Sequence, residues 1–193
     1  MYPIYEQGKR QGIGYSFDSF IRRFTEICKE KSSTGGKKAF ALILYNFRDQ
    51  AIRKVLKSQG GFALLDRLSG DKLSIFYLDS SNEEHYKSFN QNFKKVFSIS
   101  DYYLPPVVLF FTIQDGDFKV VSTVKLEESD IKFAFHELYE LIRSQVESSN
   151  ENTTKSEPPK RYIKIIDNIS NITLGAFIEF LVTIILQNIG RNI

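Results

Sequence analysis

Two apolar runs joined by only four turn-forming residues constrain this chain most. Leu104-Pro105-Pro106-Val107-Val108-Leu109-Phe110-Phe111 opens a strand over about 106–113, Gln114-Asp115-Gly116-Asp117 is a turn signal, and Phe118 to Val124 carries a second strand over about 118–125. So short a connection joins antiparallel neighbours only, because a parallel pair needs a long crossover. Two further runs, Ala39 to Phe47 and Leu73 to Leu78, are apolar without alternation. Continuous apolar runs of this length mark strands covered on both faces, the signature of a central sheet between helices.

The segments between these strands carry helical spacing. Phe17, Phe20, Ile21, Phe24, Ile27 and Cys28 recur every three or four residues, with Ser16 as N-cap and Ser32-Ser33-Thr34-Gly35-Gly36 as the stop. Asp49 caps a helix whose inner face is Ile52, Val55 and Leu56, and Gly60-Gly61 is expected to break it before further turns at Phe62, Leu65 and Leu68. Ser69-Gly70-Asp71 is a turn. Ser81 and Glu84 have capping-box spacing ahead of a stripe at Tyr86, Phe89, Phe93, Val96 and Phe97. Ile131, Ala134, Phe135, Leu138, Leu141 and Ile142 form the face of a last helix ending near Val146.

The order helix, strand, helix, strand, helix, strand, strand, helix predicts an α/β fold in three layers around a mixed sheet. A receiver-like or other doubly wound fold needs an all-parallel sheet, which the hairpin opposes. Over residues 17–147 this order, with a proline opening the strand at 106, resembles the thioredoxin-like fold family. The resemblance implies redox chemistry on a C-x-x-C pair at the start of the helix after the first central strand, where the helix N-terminus favours a thiolate. The matching stretch, Asn46 to Ile52, contains no cysteine, and the chain's one cysteine, Cys28, lies on the apolar stripe of an earlier helix. Thiol–disulfide exchange requires an attacking thiolate, so the resemblance implies a divergent, redox-inactive member. It also implies a cis proline before the third central strand, leaving adjacent backbone groups to pair with an extended ligand. Pro105 is the best match and Pro106 the second. The degenerate site is therefore Arg48, Asp49, Gln50, Tyr103 and Pro105.

Outside that domain, residues 1–16 read as an N-terminal extension. Residues 148–160 are polar and end in Pro158-Pro159, the composition of a flexible linker. Residues 161–193 are a separate apolar segment, in which Ile172 to Ile189 reads as a helix with Glu179, Thr183 and Gln187 along one narrow line. Three fates are open to such a helix: packing on its own domain, docking on a partner or a second copy, or entering a bilayer. Glu179 near its centre opposes the bilayer, whereas Lys160, Arg161 and Lys164 could meet anionic headgroups. The expected docking contacts are Phe177, Phe180, Leu181, Ile184 and Ile185.

Composition excludes several classes. Lys and Arg total 26 against 23 Asp and Glu, a net charge of +3, and pairs such as Arg53-Lys54 are scattered as solvated surface. That is not the concentrated basic face of a nucleic-acid binder. A single cysteine forms no internal disulfide, and Met1-Tyr2-Pro3-Ile4 does not begin a secretory signal, so a cytoplasmic location is expected. His85 and His136 have no metal-ligand spacing, Thr34-Gly35-Gly36-Lys37 precedes a strand instead of following one, and Asp115-x-Asp117 lacks the rest of a calcium loop. No metal, cofactor or catalytic residue is expected. The expected function is a non-catalytic, oligomeric adaptor or scaffold acting through protein–protein interaction. The alternatives are a redox-linked enzyme using Cys28 and a membrane-surface tether.

Overall fold

The computed structural model describes residues 2–4, 24–30, 33, 38–96, 105–114, 117–126, 131–148, 172–173, 175, 179 and 183. Strand β2 (Lys38–Leu44) lies at the centre of the sheet, with β3 (Leu73–Leu78) parallel on one side and β4 (Val107–Gln114) antiparallel on the other. The apolar run of β2 is buried from Phe40 to Tyr45, and every residue of β3 is buried, as expected for strands covered on both faces. β4 turns tightly into β5 (Asp117–Lys125), the pairing beginning at Gln114 opposite Asp117, with a bulge between Phe110 and Phe111. The predicted hairpin is therefore present and the sheet is mixed.

Two short strands extend this four-stranded centre. β1 (Tyr2–Ile4) pairs parallel with β3, and β6 (Ile172–Thr173) pairs antiparallel with Asp117 and Phe118 of β5. The full order is β1-β3-β2-β4-β5-β6. Both additions go beyond the sequence reading. Tyr2–Ile4, within the stretch read as an N-terminal extension, adds a strand to the sheet, and the helix expected from Ile172 is preceded by a strand. Strands of two or three residues are too short to show a period, and they exist only because a sheet edge offers backbone partners.

Helices cover both faces. Residues 24–30 form α1, and Glu83–Val96 forms α4. Their rings meet on one face, Phe24 to Phe93 at 6.3 Å, above Phe76 of β3 at 4.9 Å from Phe24. Phe40 stacks with Phe111 on the same face, 5.0 Å between centroids. The next residue of β3, Tyr77, points the other way and meets Phe62 of α3 (Gln59–Ser69) at 6.4 Å. That second face also carries α2 (Gln50–Lys57) and α5 (Ile131–Ser148), which pack on one another and on α3. Ile52, Val55 and Leu56 of α2 and Leu138, Leu141 and Ile142 of α5 are buried at the spacing the sequence predicts.

Three local details refine the sequence reading. The break after α2 falls at Ser58, whose backbone is extended, while Gly60 and Gly61 lie in the first turn of α3. Ser58 Oγ accepts from the Gly61 amide at 3.0 Å, the N-cap bond of α3. A Cβ on Gly61 would lie 2.5 Å from that Oγ and 2.7 Å from the Val55 carbonyl oxygen, so the glycine serves close approach of two helices. At the start of α4, Asn82 Oδ1 accepts from the Glu84 amide at 2.9 Å, a cap bond from a residue the sequence reading did not single out. Finally, the bond from Pro105 to Pro106 is cis, which makes Pro106, the second candidate, a cis proline, while the Leu104–Pro105 bond lies outside the described residues. Two prolines in series give identical sequence signals.

Candidate functional site

The carboxyl ends of β2 and β3, where open α/β sheets bind ligands, are roofed by α2. The helix starts five residues beyond β2, and its last residue, Lys57, pairs at 2.5 Å with Asp79, the residue after β3. Residues 45–49 bridge β2 to this helix. Because Leu44 lies opposite Val107, the chain leaving β2 runs beside Pro106 and Pro105. The register thus brings Pro105 to the same end of the sheet as Arg48, Asp49 and Gln50. Tyr103 lies outside the described residues, as do Phe177, Phe180, Leu181, Ile184 and Ile185.

The bridge is a closed turn. The Asp49 amide donates to the Asn46 carbonyl at 3.1 Å, and Asp49 Oδ2 accepts from the Asn46 amide at 2.6 Å. Asp49 is the N-cap of α2 by position, as expected, but its carboxylate is spent on the turn and makes no cap bond to the helix. Arg48 points to solvent and approaches Glu83 at 3.7 Å, an exposed contact of little energetic weight.

Arg53 does more to hold the turn. Its Nη1 donates to the Phe47 carbonyl at 2.8 Å, and its guanidinium lies 4.0 Å from the Phe47 ring centroid and 5.7 Å from that of Tyr86. This cation–π stack contributes roughly 1–2 kcal/mol where part-buried. From the other side, Asn90 of α4, 5 % exposed, donates to the Tyr45 carbonyl at 3.1 Å and to Asn46 Oδ1 at 3.2 Å. Arg53 Nε and Asn90 Oδ1 are both buried without a hydrogen-bond partner, a state that is uncommon for polar atoms.

Beneath the turn runs a buried chain of hydroxyls. Tyr45 donates to the Leu78 carbonyl, and its oxygen lies 3.5 Å from Tyr86 Oη. Tyr86 Oη accepts from the Ser80 amide and donates to the Ser80 carbonyl, both at 3.1 Å. Ser80 Oγ lies 3.0 Å from His85 Nδ1. Burial, and secondarily the neighbouring Tyr86 hydroxyl, push the Tyr45 phenol well above its ordinary range. The network fixes the end of β3 to the start of α4.

No sulfur lies at the start of α2. Cys28 is 0 % exposed within the aromatic face of the core, and burial pushes its thiol well above the ordinary range. A neutral thiol under a helix is a poor nucleophile. Among the described residues no group of histidines, cysteines and carboxylates could hold a metal ion, and no helix is long and apolar enough to cross a membrane.

An open cavity of about 430 Å³ lies on the outer side of α2, lined by Gln50, Arg53, Lys54, Lys57 and Ser58. Sequence reasoning found Gln50 but read Arg53-Lys54 as solvated surface. Arg53 instead is half-buried on aromatic rings. The available signal was the spacing of Gln50, Arg53, Lys54 and Lys57, which fall on one side of a helix opposite Ile52, Val55 and Leu56. Asn90 carried no signal, because its partners lie more than forty residues away. No family model, curated protein or solved structure matches the chain.

Proposed function

We propose that this chain is a thioredoxin-like module that has left thiol chemistry and acts as an adaptor through protein–protein contact. The sheet order β1-β3-β2-β4-β5, with β4 reversed, supports the scaffold. The observation that carries the loss of chemistry is the place of the single thiol. Cys28 sits in the core while the β2–α2 turn is built from Asn46, Phe47, Arg48 and Asp49. Proline at 105 also changes what the neighbouring backbone offers, since it has a carbonyl but no N–H to give an extended ligand.

The adaptor surface in this reading is the C-terminal helix. Gly175, Glu179 and Thr183 are helical and exposed, and Thr183 Oγ1 donates to the Glu179 carbonyl at 2.8 Å. The polar line read from the sequence thus faces outward, and periodicity sets Phe177, Phe180, Leu181, Ile184 and Ile185 off that line. β6 pairs with the sheet edge just before this helix, which supports a meeting place for a partner or second copy beside that edge. Burying such side chains contributes about 1.5–3 kcal/mol each before association costs.

Sedimentation of the full chain and of a Leu181→Asp/Ile184→Asp double variant tests the self-association form. The parent is expected to sediment as an assembly and the variant as a monomer with unchanged circular dichroism. A parent that is already monomeric, and whose affinity-purified form brings down no stoichiometric protein that the variant loses, would sink the adaptor reading.

A further inference from the structure

We propose that the cavity on α2 is a binding site for a small polyanion bearing phosphate or carboxylate groups. This goes beyond the adaptor reading and does not depend on it. Three of the five lining residues, Arg53, Lys54 and Lys57, are cations, and Gln50 adds an amide. The volume, about 430 Å³, falls in the range of small-molecule sites. The helix that carries the site follows β2 through the Asn46–Asp49 turn and is tied to the residue after β3 by the Lys57–Asp79 pair.

Arg53 makes the site specific. Its guanidinium is already oriented by the Phe47 carbonyl through Nη1 and by the Phe47 ring at 4.0 Å, so little freedom is lost when a ligand arrives. No carboxylate pairs with it among the described residues, so its charge is not neutralised by an ion pair. A guanidinium donates strong charge-assisted hydrogen bonds to carboxylate and phosphate oxygens. Lys54, exposed one residue on and joined to no acid among the described residues, supplies a second charge at the rim. Lys57 is half-neutralised by Asp79, which leaves Arg53 and Lys54 as the principal attraction. A purely structural Arg53, held by rings and one carbonyl, predicts no ligand at all, and the two cases separate by experiment.

Titration calorimetry of the full chain at low ionic strength with pyrophosphate and, separately, with citrate tests the site, with backbone amide shifts recording the place. Saturable one-to-one binding of either anion, with shifts concentrated at residues 50–58, is expected. Lys54→Gln should weaken it several-fold, and Arg53→Gln by at least about tenfold, the worth of one charge-assisted contact. Lys72→Gln, before the amino end of β3 at the opposite end of the sheet, should leave it unchanged. Should Arg53→Gln fail to fold, Lys54→Gln still decides. Absence of saturable binding for both anions, equal weakening by Lys54→Gln and Lys72→Gln, or shifts spread over every lysine-bearing surface would each overturn the proposal. Binding of only one anion would support it and identify the preferred chemistry.

Discussion

Two neighbouring stripes of α4 sit in opposite kinds of environment. On one, Phe89 and Phe93 join Phe24, Phe40, Phe76 and Phe111 in a layer of aromatic rings. On the other, Tyr86 and Asn90 enter a polar cluster with Tyr45, Asn46, Ser80 and Arg53, in which Arg53 Nε and Asn90 Oδ1 are buried and unpartnered among the described residues. The first region is held by area and shape, the second by directed bonds. An apolar layer tolerates any orientation that fills space, whereas a polar cluster under low dielectric is costly wherever one bond is missing.

The sharpest way to break this contrast is in the aromatic layer. Phe111→Ala should cost about 3–5 kcal/mol in urea-unfolding free energy, because the ring is buried between Phe24 and Phe40 and the cavity cannot collapse fully. A loss below about 1 kcal/mol would mean that the layer is loosely packed and the contrast false. In the polar cluster, Asn90→Ala should cost about 1–3 kcal/mol, since the Tyr45 carbonyl and Asn46 Oδ1 lose their donor. Amide exchange at residues 45–49 should rise with it. Exchange that stays fixed would show that Arg53 alone holds the turn.

Alkaline pH probes both regions together. Burial raises the Cys28 thiol and the Tyr45 phenol above their ordinary values of 9.0 and 10.0. The folded state then keeps protons that the unfolded state releases, so stability is complete below about pH 9 and falls as pH rises. Each group contributes about 1.4 kcal/mol per pH unit above its unfolded value. Urea midpoints between pH 8 and 11 should fall less steeply in Cys28→Ala than in the parent. Identical slopes would place the thiol in contact with water, and with it the redox alternative would return. The smallest effect is expected at the α2–α3 junction, where Ser58→Ala should cost about 1 kcal/mol through loss of the Gly61 cap. A neutral Ser58→Ala, read by the same urea curves, would leave the break to Gly61 and its crowded approach to Val55.

Much of the architecture was legible because its causes are local. The runs at 38–44 and 73–78, the hairpin around Asp115-Gly116 and the face of Ile52, Val55 and Leu56 all follow from periods of two and 3.6 residues and from turn chemistry. The edge strands were not legible. Tyr2–Ile4 and Ile172–Thr173 are strands only because Phe76 to Leu78 and Asp117 to Phe118 present backbone groups to them. The site divided in the same way. Arg48, Asp49 and Gln50 were found because they follow an apolar run, while Arg53 and Asn90 depend on a ring and a carbonyl brought in from other elements.

The sequence by itself determined that this chain forms helices around a mixed sheet, with its one thiol on an apolar stripe away from the β2–α2 turn. Those properties are set by side-chain type and spacing within about fifteen residues, the range over which local periodicity acts. Tertiary structure alone decided the strand order and the joining of Arg53 to Phe47 and Tyr86. Each of these joins elements distant in sequence, so its energy exists only once the pieces are assembled.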